Sequence, residues 1–271
     1  MPRVMASGRL LGALAGAGFR RFATYRQATV AGAFTNTVFG FVRCYVLLSL
    51  ADAGGRVAGY DQAQLVTFVF AGQGMIAVVN FWGAADLADR VRTGDITADL
   101  LRPLDLMVGY LAADAGRACH AMLTRFVVPV LAGMLAFDFY LPGHAWTYPL
   151  FAVSVLLAVF VCSVCRYVVN LTSFWLLDIR GARQLWVVAS GVGSGLSFPL
   201  PLLPGWAATA LWVCTPFPAL LQAPLDVLVE RGGPGHALLL IGGQVAWLGI
   251  VTTVARLVQR GALRRLVIQG G

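Results

Sequence analysis

The chain contains no lysine, and its one glutamate is Glu230, so all 20 basic residues are arginine. Without lysine there can be no G-x-x-x-x-G-K-[ST] loop, whose lysine neutralises the phosphates of a nucleotide, so ATP hydrolysis by that device is excluded. Charge of either sign is scarce, at 12% of residues, where soluble domains carry about 25%. With 59% apolar residues and a mean hydropathy of +0.77, the composition is that of an integral membrane protein. Histidine and cysteine are few and scattered. His120, His144 and His236 lie singly near the ends of apolar runs. Cys162 and Cys165 form a C-x-x-C inside an apolar segment, with no second pair or histidine cluster, so neither a metal site nor redox chemistry is read from them. Cys44, Cys119 and Cys214 read as small packing residues. Gly191 to Gly195 is glycine-rich but apolar in context, which fits close helix packing rather than phosphate binding. Ser190, Ser194 and Ser197 read as makers of interhelical hydrogen bonds rather than as nucleophiles. No catalytic residue set emerges.

What the chain does contain is long apolar runs. Ala28–Leu50, Gln62–Ala84, Ala118–Phe137, Trp146–Leu177 and His236–Ala255 each approach or exceed the length of about 20 residues that crosses a bilayer. The uncharged run Leu185–Leu225 is ambiguous, and topology resolves it. Arg3, Arg9, Arg20, Arg21 and Arg26 crowd the amino end, and Arg256, Arg260, Arg264 and Arg265 crowd the carboxyl end. Arginine marks the cytoplasmic side, so both termini belong there and the number of crossings is even. The ambiguous run therefore supplies one crossing, placed at Leu185–Leu203, and an external re-entrant hairpin at Gly205–Leu225. Pro204, Pro216 and Pro218 punctuate that hairpin. Of the 20 arginines, only Arg56 and Arg231 then fall outside, and Arg43, Arg125 and Arg166 fall within crossings. The remainder, including Arg90, Arg92, Arg102, Arg117, Arg180 and Arg183, lie on the cytoplasmic side, which explains the net charge of +8 without nucleic acid.

The expected fold is all-α: six transmembrane helices preceded by an amphipathic helix. That helix is read at Arg9–Gln27, with Leu11, Leu14, Gly18, Phe22 and Tyr25 on one side and Arg9, Arg20, Thr24 and Gln27 opposite. The pattern suits a helix lying on the anionic cytoplasmic leaflet. A cleaved secretory signal is disfavoured, because glycines break the apolar run and Arg20 and Arg21 follow it at once. The chain divides into a cytoplasmic amino end (1–27), a membrane domain (28–255) and a cytoplasmic tail (256–271).

Two features carry functional expectation. The stretch 85–105 packs charged residues between two apolar runs and must lie in water. Its interior reads as a short helix capped by Asp95, with Ile96, Leu100 and Leu101 on one face and Pro103 as terminator. Such a helix suits docking to a soluble partner, while a plain solvated loop is the alternative. The second feature is Arg125 and Arg166, each needing a partner because an arginine at mid-bilayer costs about 2.5–3.5 kcal/mol. Either could line a path for a polar substrate, or could be paired internally with an acid such as Asp114 or Asp138.

The layout resembles that of an ABC-2 type transporter permease. The resemblance is sharpest at Val91-Arg92-Thr93-Gly94-Asp95-Ile96 followed by Leu100-Leu101-Arg102-Pro103, which is similar to an R-x-G-(D/E)-(I/L)…L-L-R-P signature in bacterial permeases of that type. The resemblance implies a bacterial cytoplasmic-membrane exporter subunit that binds no cofactor itself. It implies two permeases, alike or related, working with two separate ATPase subunits that carry ATP and Mg. It further implies that the loop after the second crossing acts as a coupling helix. Arg92, Gly94, Asp95, Ile96, Asp99, Leu100, Leu101, Arg102 and Pro103 would then meet the ATPase. A secondary transporter would need an internal repeat, and a membrane enzyme or scaffold would rest on no visible chemistry.

Overall fold

The structure, a computed structural model, describes residues 8–50, 56–83, 86–102, 104–176 and 178–265. Among these residues the chain is helical, apart from short connections and an isolated bridge between Val57 and Tyr60. Helix α1 spans Gly8–Ala23 and α2 spans Arg26–Leu48. Helix α3, Gln62–Met75, begins on a reciprocal cap in which Asp61 accepts from the Gln64 backbone at 2.8 Å and Gln64 accepts from the Asp61 backbone at 3.2 Å. Every residue from Leu65 to Met75 is buried. A helix apolar all round belongs in the middle of a bundle, and α3 occupies that place, touching α2, α7 and α11. It runs on as a wide π-helical turn, Ile76–Asn80, and stops where Asn80 takes a left-handed φ of 61°.

Two short helices follow, α4 (Asp86–Thr93) and α5 (Ile96–Leu100). Helix α6, Leu106–Ala121, starts on the Asp105 carboxylate, which accepts from the Val108 backbone at 3.1 Å. A second π turn, Met122–Phe126, carries it into α7, Val127–Ala136. Pro129 explains that widened turn, since its ring crowds the carbonyl four residues back and offers no N–H. The two π turns meet each other in the bundle. Helix α8 covers Thr147–Leu171, α9 Arg180–Gly193, α10 Gly205–Cys214, α11 Gln222–Leu228 and α12 Gly233–Arg264.

Five helical segments are long and apolar enough to cross a membrane: Arg26–Leu48, Gln62–Asn80, Leu106–Ala136, Thr147–Phe174 and Gly233–Arg264. The chain is an all-helical membrane protein. The expected continuous crossing at Leu185–Leu203 is not there. Helix α9 ends at Gly193, because Gly195 turns left-handed (φ 85°) and Pro199 and Pro204 set extended backbone. At 14 residues α9 is only about 21 Å long, short of a hydrocarbon core of about 30 Å. Helices α10 and α11, at 10 and 7 residues, are shorter still.

Helix α1 is held tightly. A Cβ at Gly18 would sit 2.0 Å from the Ala113 carbonyl, and one at Gly116 would sit 1.8 Å from the Ala15 carbonyl. These two glycines let the backbones of α1 and α6 touch, as small residues do wherever membrane helices pack closely. The helix ends at Ala23 rather than at the expected Gln27. Tyr25 breaks the pattern there with φ −91° and ψ 62°, and α2 takes over at Arg26.

Candidate functional site

The charged stretch after α3 folds into α4, a tight turn and α5. Gly94 makes the turn with φ 82°, where nothing lies within 4 Å of a would-be Cβ; the demand is on the backbone alone. Ile96 is 1% exposed and anchors α5, while Leu101 is 86% exposed at its far end. Ile96 and Leu101 therefore do not share the one face expected for them with Leu100; α5 ends at Leu100, and Leu101 just past it stands in solvent. The Asp95 side chain forms no cap on α5 either. It accepts from the Thr93 hydroxyl at 2.9 Å, and the Thr97 hydroxyl bonds the Gly94 carbonyl at 2.8 Å instead. Pro103 lies outside the described residues.

Charge stiffens this loop and mounts it. Arg90 meets Asp99 at 2.5 Å and Arg102 meets the same carboxylate at 3.5 Å, so one acid joins α4, α5 and the residues after it. Arg92 reaches only Asp89, at 3.8 Å with both side chains largely in solvent, a contact that contributes little. Arg21 of α1 pairs with Asp86 at 2.9 Å, and Arg256 of α12 pairs with Asp105 at 2.6 Å. The Ala88 backbone donates to Asn170 of α8 at 3.3 Å. The loop thus touches the first, eighth and last helices at its two ends. Its apolar tip remains uncovered.

A second polar set lies inside the bundle. Asp114 of α6 accepts from Arg117 at 2.5 Å and from Arg166 of α8 at 2.7 Å, and from the Ser163 hydroxyl as well. Arg117 spends its other donors on the Ala77 and Val78 carbonyls, at 2.7 and 2.8 Å. Those carbonyls belong to the π turn of α3, where widened winding presents them sideways. With its amide oxygen turned toward the arginines, Asn80 also accepts from Arg166 at 3.1 Å and Arg117 at 3.3 Å. Arg117 is therefore not a solvent-side residue, as the arginine pattern implied. It is 4% exposed and lies within the third long helix. Arg125, by contrast, stands alone over Gly32 of α2, and its buried Nε has no hydrogen-bond partner. The two arginines singled out from the sequence do not share a site.

A third set, at the end of the bundle opposite the loop, was missed entirely. Tyr60 donates to Asp226 of α11 at 2.5 Å. Gln222 donates to Tyr60 at 2.8 Å and to Asp226 at 3.0 Å, while its oxygen accepts from the Leu200 backbone at 3.0 Å. The Arg231 guanidinium stacks 4.7 Å over the Tyr60 ring. Glu230 accepts from Tyr140 at 2.6 Å, from the His144 backbone at 3.0 Å and from Thr147. Burial opposes ionisation of Glu230, but the donors from Thr147, Tyr140 and His144 outweigh it and hold its carboxyl down at about 2. These residues pin α11 under α3 and α8. The one available signal was Glu230 itself, the lone glutamate of the chain.

Among the described residues no group of histidine, cysteine and carboxylate side chains is placed to hold a metal ion. Long apolar helices, a rigid charged loop at one end and internally matched charge define a multi-pass helical membrane protein. Residues 34–270 match the family model described as ABC-2 family transporter protein, and the chain belongs to that family. It is thus an ABC permease component, a part of membrane transport machinery. No curated protein and no solved structure matches the chain.

Proposed function

We propose that this chain is the membrane-spanning subunit of an ATP-driven exporter in a bacterial cytoplasmic membrane. It pairs with a second permease, identical or related, and with two separate ATP-binding cassette subunits that carry ATP and Mg. Both termini face the cytoplasm. The observation that carries this reading is the α4–α5 loop: an exposed apolar tip at Leu101 on a base tied by ion pairs to α1 and α12. A loop whose charges served only solvation would not need that bracing. Closure of the ATPase pair would push the loop, and the braces would pass the movement to the bundle as a rigid-body rotation.

In this reading α9 and the extended residues up to Pro204 make the fifth crossing, and α10 and α11 make an external re-entrant segment folded at Pro216 and Pro218. The polar set around Asp226 supports it, because irregular backbone at membrane depth survives only where protein covers it. The cargo is amphipathic, a lipid, drug or metabolite, and moves along the interface of the two permeases. Arg166 is matched by Asp114, which favours an architectural role over contact with cargo; Arg125 keeps a free donor for a polar path.

The test is co-purification. Leu101→Asp keeps the loop folded, since Leu101 packs against nothing that the helix needs, and is expected to cut retention of the ATPase subunit at least tenfold. Retention equal to wild type would overturn the coupling role of the loop.

A further inference from the structure

A recess of about 500 Å³ opens between the end of α3 and the start of α9, within the range of about 300–1,000 Å³ usual for small-ligand sites. Arg166, Arg180 and Arg183 line it, together with Trp82 and Trp186, and no acidic side chain does. Asp178 reaches Arg180 at 2.6 Å from outside the recess, and Asp114 is shared by Arg166 and Arg117. Four arginines therefore face two carboxylates. Arg183 has no ion pair among the described residues, and the buried Nε of Arg166 has no hydrogen-bond partner. Gly83 makes the floor possible. A Cβ there would lie 1.6 Å from the Arg166 guanidinium, so glycine leaves that group room in its present position at the recess. The rim is the level at which the long helices end, with Trp82 half exposed and the Trp186 indole donating to the Phe81 carbonyl at 3.0 Å. Indoles at that height are what a membrane interface selects.

We propose that this recess holds the phosphate-bearing headgroup of an anionic membrane lipid. Arg166 contacts it from below, Arg180 and Arg183 contact it from the rim, and the acyl chains lie in the bilayer beside α9. Excess positive charge selects an anion, and the recess accommodates a phosphodiester with a polar substituent. Its place at a helix-end boundary suits a lipid better than a diffusing solute. The placement in the cytoplasmic leaflet rests on the orientation proposed above; the binding itself does not.

The test uses the purified full-length chain without its ATPase partners, so it is independent of the coupling role. Native mass spectrometry would follow retention of phosphatidylglycerol, phosphatidylcholine and soluble glycerol phosphate. Phosphatidylglycerol is expected to remain as a discrete adduct and to raise the unfolding temperature. The Arg180→Gln/Arg183→Gln variant is expected to bind it about 25-fold more weakly, about fivefold for each arginine at about 1 kcal/mol per basic residue. Both arginines belong to the exposed first turn of α9, so the variant should fold; the surface variant Arg260→Gln is expected to bind like wild type. Equal retention of phosphatidylcholine, or undiminished retention by the double variant, would overturn the site. Retention of glycerol phosphate as tight as that of the lipid would assign the recess to soluble phosphate esters and overturn the lipid assignment.

Discussion

Asp114 is a largely buried acid shared by two arginines. It neutralises Arg117 and Arg166 at 2.5 and 2.7 Å, and its side chain is 13% exposed. Asp114→Asn keeps the shape and an acceptor oxygen but removes the charge, leaving two guanidinium groups facing each other among apolar helices. One ion pair at about 4 Å and an effective dielectric constant of about 20 is worth about 4 kcal/mol. Removing a carboxylate that serves two arginines forfeits two such contacts, partly offset because the acid itself no longer needs desolvating. The net loss expected from breaking a buried pair is about 3–5 kcal/mol. For a chain of this size that corresponds to a fall of about 6–20 °C in apparent unfolding temperature. The assay is thermal unfolding in detergent, followed by tryptophan fluorescence. The triple substitution Asp114→Leu/Arg117→Met/Arg166→Met removes every charge and is expected to recover most of the loss, since well-packed apolar replacements of buried pairs are often neutral. A fall of less than about 2 °C for Asp114→Asn would refute the reasoning, because it would mean that water or lipid headgroups already screen these arginines.

Two further outcomes follow from the packing and from the polar set around Glu230. Gly18→Leu drives a side chain into the Ala113 carbonyl, so α1 should lift from α6 at a cost of about 1–3 kcal/mol; trypsin cleavage at Arg20 and Arg21 should quicken. The Glu230 carboxyl is held at about 2, against 4.5 for a free side chain. Its contribution is therefore complete above pH 4.5 and lost as pH falls toward 2, and Glu230→Gln should flatten stability across that window in unfolding curves taken at successive pH values.

Five of the expected apolar runs coincide with helices long and apolar enough to cross a membrane, because hydropathy over about 20 residues depends on composition alone and needs no partner. The expected crossing at Leu185–Leu203 is not one continuous helix, for a local reason. Gly195 and the prolines stop α9 early, and neutral composition does not show where a helix ends. Loop 85–105 is legible from its charge, but the turn at Gly94 is not, and the single face expected for Ile96, Leu100 and Leu101 divides into a buried Ile96 and an exposed Leu101 just past a helix of only five residues.

Length, hydropathy and the scarcity of charge thus determined by themselves that this chain is a membrane protein and where its five long apolar helices run. Each is a property of transfer from water to lipid, additive along the chain. Only the folded bundle decided which charges answer each other. Asp114 meets Arg166 across 52 residues, and Tyr60 meets Asp226 across 166. Pairing at such separations is set by which helix faces touch, and that depends on small residues such as Gly18, Gly83 and Gly116 letting backbone or guanidinium approach.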